Sequence, residues 1–147
     1  MNRGKTIRVY LADGTATGIR HATLGNWSGQ ALLIPRTLYP KVRNWTELLK
    51  PGVYFLIGNE LNDYYQKSVY IGESENIISR LDSHISSKPF WGEVVVFTNK
   101  DDYLTKAHVR YLESELIRTS RSSGRYAVEN STASNLTRLP RSDQDEM

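Results

Sequence analysis

The sequence predicts a mixed α/β domain. Short apolar runs that alternate on a two-residue period are interleaved with two longer segments whose apolar residues recur at helical spacing. Asp-Gly, Pro-Gly and Gly-centred turn signals separate them. Its 147 residues suffice for one domain with a sizeable core, and not for two. The balance of 39% hydrophobic and 24% charged residues belongs to a globular chain and not a disordered one.

Taken in order, Ile7–Leu11 and Ala31–Ile34 read as strands set among turns at Asp13-Gly14, Gly18 and Gly25. Asn44-Trp45-Thr46-Glu47 has the form of a capping box, Asn followed three residues later by Glu, for a short helix ending near Lys50. Pro51-Gly52 then interrupts. Val53–Ile57 and Ser68–Ile71 are two strand-like runs joined across the polar stretch Gly58–Lys67, the pattern of a β-hairpin with a long loop. Ser74 offers an N-cap to a helix carrying the stripe Ile77, Ile78, Leu81 and Ile85, which Pro89 ends. Glu93–Thr98 reads as a buried strand. Asp101 and Asp102 open a second helix that runs from Leu104 to about Thr119 and closes near Gly124. The chain therefore divides into a β-rich extension at 1–50, a central domain at 51–130 and a polar tail at 131–147.

Composition excludes several chemistries. With no cysteine there is no disulfide framework, thiol nucleophile or Cys-based zinc site. No apolar run is long enough for a membrane span, and the first residues lack the apolar core of a secretory signal, so a cytoplasmic location is the default expectation. Nucleotide-binding glycine loops, a serine-hydrolase elbow and a zinc-protease helix motif are all missing. His21, His84 and His108 are too far apart in sequence for ligand spacing. Residues 1–50 hold eight basic and two acidic side chains, whereas 51–147 hold eleven and fourteen. A basic front suits a polyanionic partner, and equally a solvated surface.

Three groups of residues carry chemical interest. In the hairpin, strand alternation puts Val53, Phe55 and Ile57 on one face and Tyr54 and Leu56 on the other; Tyr70 points away from Val69 and Ile71. The two tyrosines thus fall on one face, bracketed by Gly52 and Gly72, which leave backbone room for a ligand. On the first helix Arg80 and His84 stack at i and i+4 beside the apolar stripe, and an Arg is suited to phosphate. On the second helix Glu113 sits among Val109, Leu116 and Ile117, where a carboxylate needs a cation or an arginine in compensation. Glu115 neighbours Arg118 on a solvated face.

Gly52-Val53-Tyr54, Tyr70-Ile71-Gly72, Arg80 ten residues after Tyr70, and Glu113 within Leu-Glu-Ser-Glu-Leu-Ile together resemble the GIY-YIG nuclease family over roughly residues 51–130. The front segment with Ile34-Pro35-Arg36 resembles one that precedes this domain in a bacterial and phage subgroup. The resemblance implies a small, mainly antiparallel β-sheet flanked by helices and a divalent-metal-dependent DNA endonuclease. It implies Tyr54 as general base, Tyr70 as the residue that positions water or phosphate by hydrogen bonding, His84 as assisting through the same network, Arg80 as stabiliser of transition-state charge and Glu113 as ligand to one Mg²⁺ or Mn²⁺. Asn130, with Asn135 as the alternative, takes the place of a late site asparagine.

This sequence departs from the family pattern in three places. Val53 stands for Ile, fifteen residues separate the tyrosines, and Glu73 occupies a position that is often basic. A phenol titrates near pH 10 unless charge assists it, so Tyr54 needs the Arg80 charge or a cation to act near neutrality. DNA is the expected partner, single- or double-stranded. The basic first fifty residues, with Trp27 and Trp45, either direct the enzyme to it or serve as a packing element. The other readings are a non-catalytic nucleic-acid binding module on the same fold and a subunit active only in a larger complex. A protein partner or a homodimer also fits.

Overall fold

The computed structural model describes residues 3–130. Seven strands form one sheet: β1 (Ile7–Leu11), β2 (Arg20–Leu24), β3 (Gly29–Pro35), β4 (Gly52–Leu61), β5 (Lys67–Ser74), β6 (Trp91–Asn99) and β7 (Ala127–Val128). Their spatial order is β1-β2-β3-β6-β4-β5-β7, antiparallel at every pairing except β5 with β7. Three α-helices accompany them, α1 (Tyr39–Val42), α2 (Ile77–Ser87) and α3 (Lys106–Ser123). This is the mainly antiparallel α+β architecture expected.

The sheet has two different faces. On one, Leu32, Ile34, Tyr54, Leu56, Val94 and Val96 pack against Ile77 and Leu81 of α2 and against Tyr39, Val42 and Leu48 of the β3–β4 connection. On the other, Val69, Ile71, Phe55 and Ile57 meet Ile117 and Leu116 of α3. The alternation read from β4 and β5 is the cause: consecutive residues bury against different helices, so Tyr54 lies under α2 while Phe55 lies toward α3. β6 is central because β3 and β4 both pair with it, which joins the first fifty residues to the rest within one sheet.

Several local expectations change. Asn76, not Ser74, caps α2, accepting from the Ser79 amide, while the Ser74 hydroxyl accepts from the Asn76 amide to shape the turn before it. The Asn44–Glu47 capping box does not form; Thr46–Leu49 is a 3-10 turn that begins after Trp45 with no side-chain cap. Asp101 does not start α3 but accepts from the Tyr103 amide, and the helix begins at Thr105, whose backbone amide donates to His108 Nδ1 in a capping box. Gly124 ends α3 in the left-handed region (φ 66°) as anticipated. β2 and the two-residue β7 were not anticipated, and the polar loop shrinks to Asn62–Gln66 because β4 and β5 extend into it. There the Asn62 side chain accepts from the Tyr64 and Gln66 amides. The tail expected from Ser131 lies outside the described residues.

Arg36 ties the connector to α2. Its guanidinium donates to the carbonyls of Ile85, Lys88 and Trp91 at 2.6, 2.8 and 3.3 Å and lies 4.5 Å above the Trp91 ring. The Ile85 and Lys88 carbonyls are among those that the end of α2 leaves without intrahelical partners, and a cation there also suits the helix dipole. On the outer side of α2, Asp82 accepts from the Tyr39 hydroxyl and pairs with Arg43, which holds the Asp82 carboxyl below the usual range.

Candidate active site

β4 and β5 place Tyr54 opposite Gly72 and Leu56 opposite Tyr70, so the two tyrosines stand one pair apart on the α2 face, ring centroids 6.5 Å apart. Tyr54 is 1% exposed and Tyr70 half-buried. From α2, one turn after Arg80, the buried His84 reaches down between them: its Nε2 is 2.7 Å from the Tyr54 hydroxyl, and its ring lies edge-on to Tyr70 at 5.4 Å. Helical spacing and strand alternation thus bring together three of the residues singled out from sequence.

Gly72 has a different role from the one expected. A Cβ there would lie 2.7 Å from Tyr54 Cε2 and closer still to Cζ and the hydroxyl. The glycine makes room for the Tyr54 ring and not for a ligand. Gly52 likewise admits the Phe97 carbonyl of β6.

Burial dominates the electrostatics. It pushes the Tyr54 phenol well above its ordinary range, Tyr70 adding to the rise and Arg80 opposing it. Tyr70 is raised for the same first reason, with Glu113 and Glu73 adding and Arg80 again opposing. Burial also lowers His84 to about 4, helped by the Lys88 and Arg80 charges, so the imidazole is neutral near pH 7. Its Nδ1 is buried without a hydrogen-bond partner.

Arg80 is exposed at the rim of this group and, among the described residues, has no hydrogen-bond or ion-pair partner. Glu113 is half-buried on α3, within electrostatic reach of both tyrosines. Glu115, by contrast, pairs with Arg118 as expected. Asn130 binds the backbone between Tyr70 and Gly72: its side chain accepts from the Ile71 amide at 3.0 Å and donates to the Ile71 carbonyl at 2.7 Å, extending the edge of β5. Asn135 lies outside the described residues. Two features escaped the sequence reading. Lys88, one turn beyond His84, places its ammonium 4.2 Å from the Tyr70 ring centroid. Glu73, flagged only as a departure, has a buried Oε2 with no hydrogen-bond partner, while its Oε1 is 4.0 Å from Arg110.

No group of three or more His, Cys, Asp or Glu side chains is arranged to hold a metal among the described residues. A caged ion therefore does not fit. A hydrated Mg²⁺ or Mn²⁺ does, because such ions keep most of their waters and need one or two carboxylates plus substrate oxygens. Glu113 and Glu73, the carboxylates that act on both Tyr54 and Tyr70, are the residues that would hold such an ion.

Half of the eight basic residues in the first fifty are consumed by the fold. Arg20 pairs with Glu93, Arg43 with Asp82, Arg36 holds α2 and Lys50 donates to the carbonyls of Asn99 and Lys100. Arg3, Lys5, Arg8 and Lys41 have no such partner among the described residues. Comparison with protein-family models, with curated proteins and with solved structures finds no match to this chain.

Proposed function

We propose that this protein is a divalent-metal-dependent endonuclease that hydrolyses phosphodiester bonds in DNA. The observation that carries the reading is the hydrogen bond of Tyr54 to a neutral His84, beside Tyr70, with Arg80 and Glu113 in electrostatic reach. In the tautomer with the proton on Nδ1, His84 Nε2 accepts from the Tyr54 hydroxyl and is positioned to take its proton when Tyr54 draws one from water. Arg80, exposed and unpaired among the described residues, would meet a phosphate and stabilise charge growing on its non-bridging oxygens. Tyr70, with the Lys88 ammonium over its ring and the His84 ring beside it, would position water or phosphate by hydrogen bonding. Glu113 would hold the cation, which supplies Lewis-acid polarisation of the phosphate.

One observation favours a second reading. Tyr54 is almost wholly buried and its phenol is raised, which opposes tyrosinate formation and suits a nucleic-acid binding module in which the Tyr54–His84 pair is a structural element. The test is cleavage of supercoiled plasmid and labelled single strands in Mg²⁺, Mn²⁺ or EDTA by the wild type and Glu113→Gln. The nuclease reading expects metal-dependent cutting that falls at least about a hundredfold in the variant while its circular dichroism is unchanged. Gel shifts by both proteins with no cutting by either would establish the binding module instead.

A further inference from the structure

β1 is an outer strand of the sheet, with β2 as its partner among the described residues. The other outer strand, β7, is two residues long and is followed directly by the Asn130 clamp, so it offers little edge. β1 carries one charge, Arg8, but no proline, no bulge and, among the described residues, no covering segment. All five of its residues are exposed, including Ile7 (68%), Val9 (53%) and Leu11 (38%).

The ladder fixes which backbone groups are open. Gly25 donates to the Thr6 carbonyl and Ala12 to the Ile19 carbonyl, so the even-numbered residues face β2 in hydrogen-bonded pairs. The N–H and C=O groups of Ile7, Val9 and Leu11 therefore point outward. Their side chains share one face of the sheet, and those of Arg8 and Tyr10 share the other.

We propose that β1 pairs antiparallel with β1 of a second copy about a two-fold axis through Val9, making one continuous sheet across a homodimer. In that register Val9 exchanges hydrogen bonds with its mate, and Ile7 pairs with the partner's Leu11 in both directions. Every outward donor and acceptor of the strand is satisfied. An axis normal to the sheet keeps each face on its own side, so Ile7, Val9 and Leu11 continue as one apolar stripe. On the opposite face each Arg8 meets the partner's Tyr10, a cation–aromatic pair. Shifting the axis to Arg8 would set two guanidinium groups against each other, so charge selects the register. The contact is small beside obligate interfaces, and the dimer forms reversibly with concentration. This inference stands apart from the nuclease reading.

Sedimentation equilibrium of the full chain, wild type against Val9→Pro and Val9→Lys, tests it. The Val9 N–H faces away from β2, so proline there leaves the β1–β2 ladder intact. The wild type is expected to show a concentration-dependent monomer–dimer equilibrium, with both variants weakening it at least about tenfold at an unchanged melting temperature. Because the chain has no cysteine, Val9→Cys should oxidise to a covalent dimer while Tyr64→Cys in the β4–β5 loop should not. A wild type that stays monomeric, or a dimer that survives Val9→Pro and Val9→Lys, would overturn the proposal.

Discussion

Gly72→Ala probes the packing that builds the site. The added methyl would lie 2.7 Å from Tyr54 Cε2 and nearer to its hydroxyl, against an ordinary carbon contact of about 3.5–4 Å. The ring is buried against β4, β5 and α2, so it must shift by about 1 Å or more, and the 2.7 Å hydrogen bond to His84 is lost. Overpacking of this kind costs about 1–3 kcal/mol. Leaving His84 Nε2 buried without a partner adds about 1–3 kcal/mol, since Nδ1 is already unsatisfied. Replacing glycine in an extended strand returns about 0.5–1 kcal/mol through the unfolded chain. The net expectation is a loss of about 1–5 kcal/mol. Urea unfolding followed by tryptophan fluorescence measures it, and Trp91 is a suitable reporter because its indole N–H donates to the His84 carbonyl. Tyr54→Leu vacates the space that the methyl needs, so the double variant should be more stable than the sum of the singles by at least about 1.5 kcal/mol. A loss below about 0.5 kcal/mol for Gly72→Ala, or additivity with Tyr54→Leu, would refute the assigned role of the glycine.

Two further outcomes follow from the same structure. The folded His84 titrates near 4 against 6.5 for an unperturbed imidazole, so between those values the unfolded chain binds more protons. Stability should therefore fall as pH is lowered from about 6.5 toward 4, by up to about 3 kcal/mol, and His84→Gln should flatten that portion of the profile; an unchanged slope would show that His84 is not the group responsible. Arg36→Ala should cost about 1–3 kcal/mol by exposing the carbonyls of Ile85, Lys88 and Trp91 to water or leaving them unmet. It should also speed hydrogen exchange in the last turn of α2, with Arg36→Lys recovering only part of the loss because a single ammonium cannot reach all three acceptors.

Local patterns settled much of this protein. The two-residue alternation in Val53–Ile57 and Ser68–Ile71 and the stripe Ile77, Leu81 and Ile85 are properties of short stretches, and each appears as read, with Tyr54 and Tyr70 on one face and His84 on the buried flank of α2. Cap positions were less legible. Ser74, Asn76 and Asp101 are all competent acceptors, and which amide each one meets depends on where the chain is pulled by packing on the sheet. β2 escaped notice because Arg-His-Ala-Thr-Leu has no aliphatic run; it is a strand because β1 and β3 supply its hydrogen bonds from either side. The placement of β6 between β3 and β4 is a pairing across some sixty residues that no local window contains. Tertiary structure alone also decided what Gly72 accommodates, which half of the basic residues of the first fifty are fastened to carbonyls and carboxylates, and that Asn130 closes the edge of β5. Sequence determined the identity and period of the groups. Their partners were decided by which segments met in space, because burial and hydrogen bonding act between residues that chain order does not bring together.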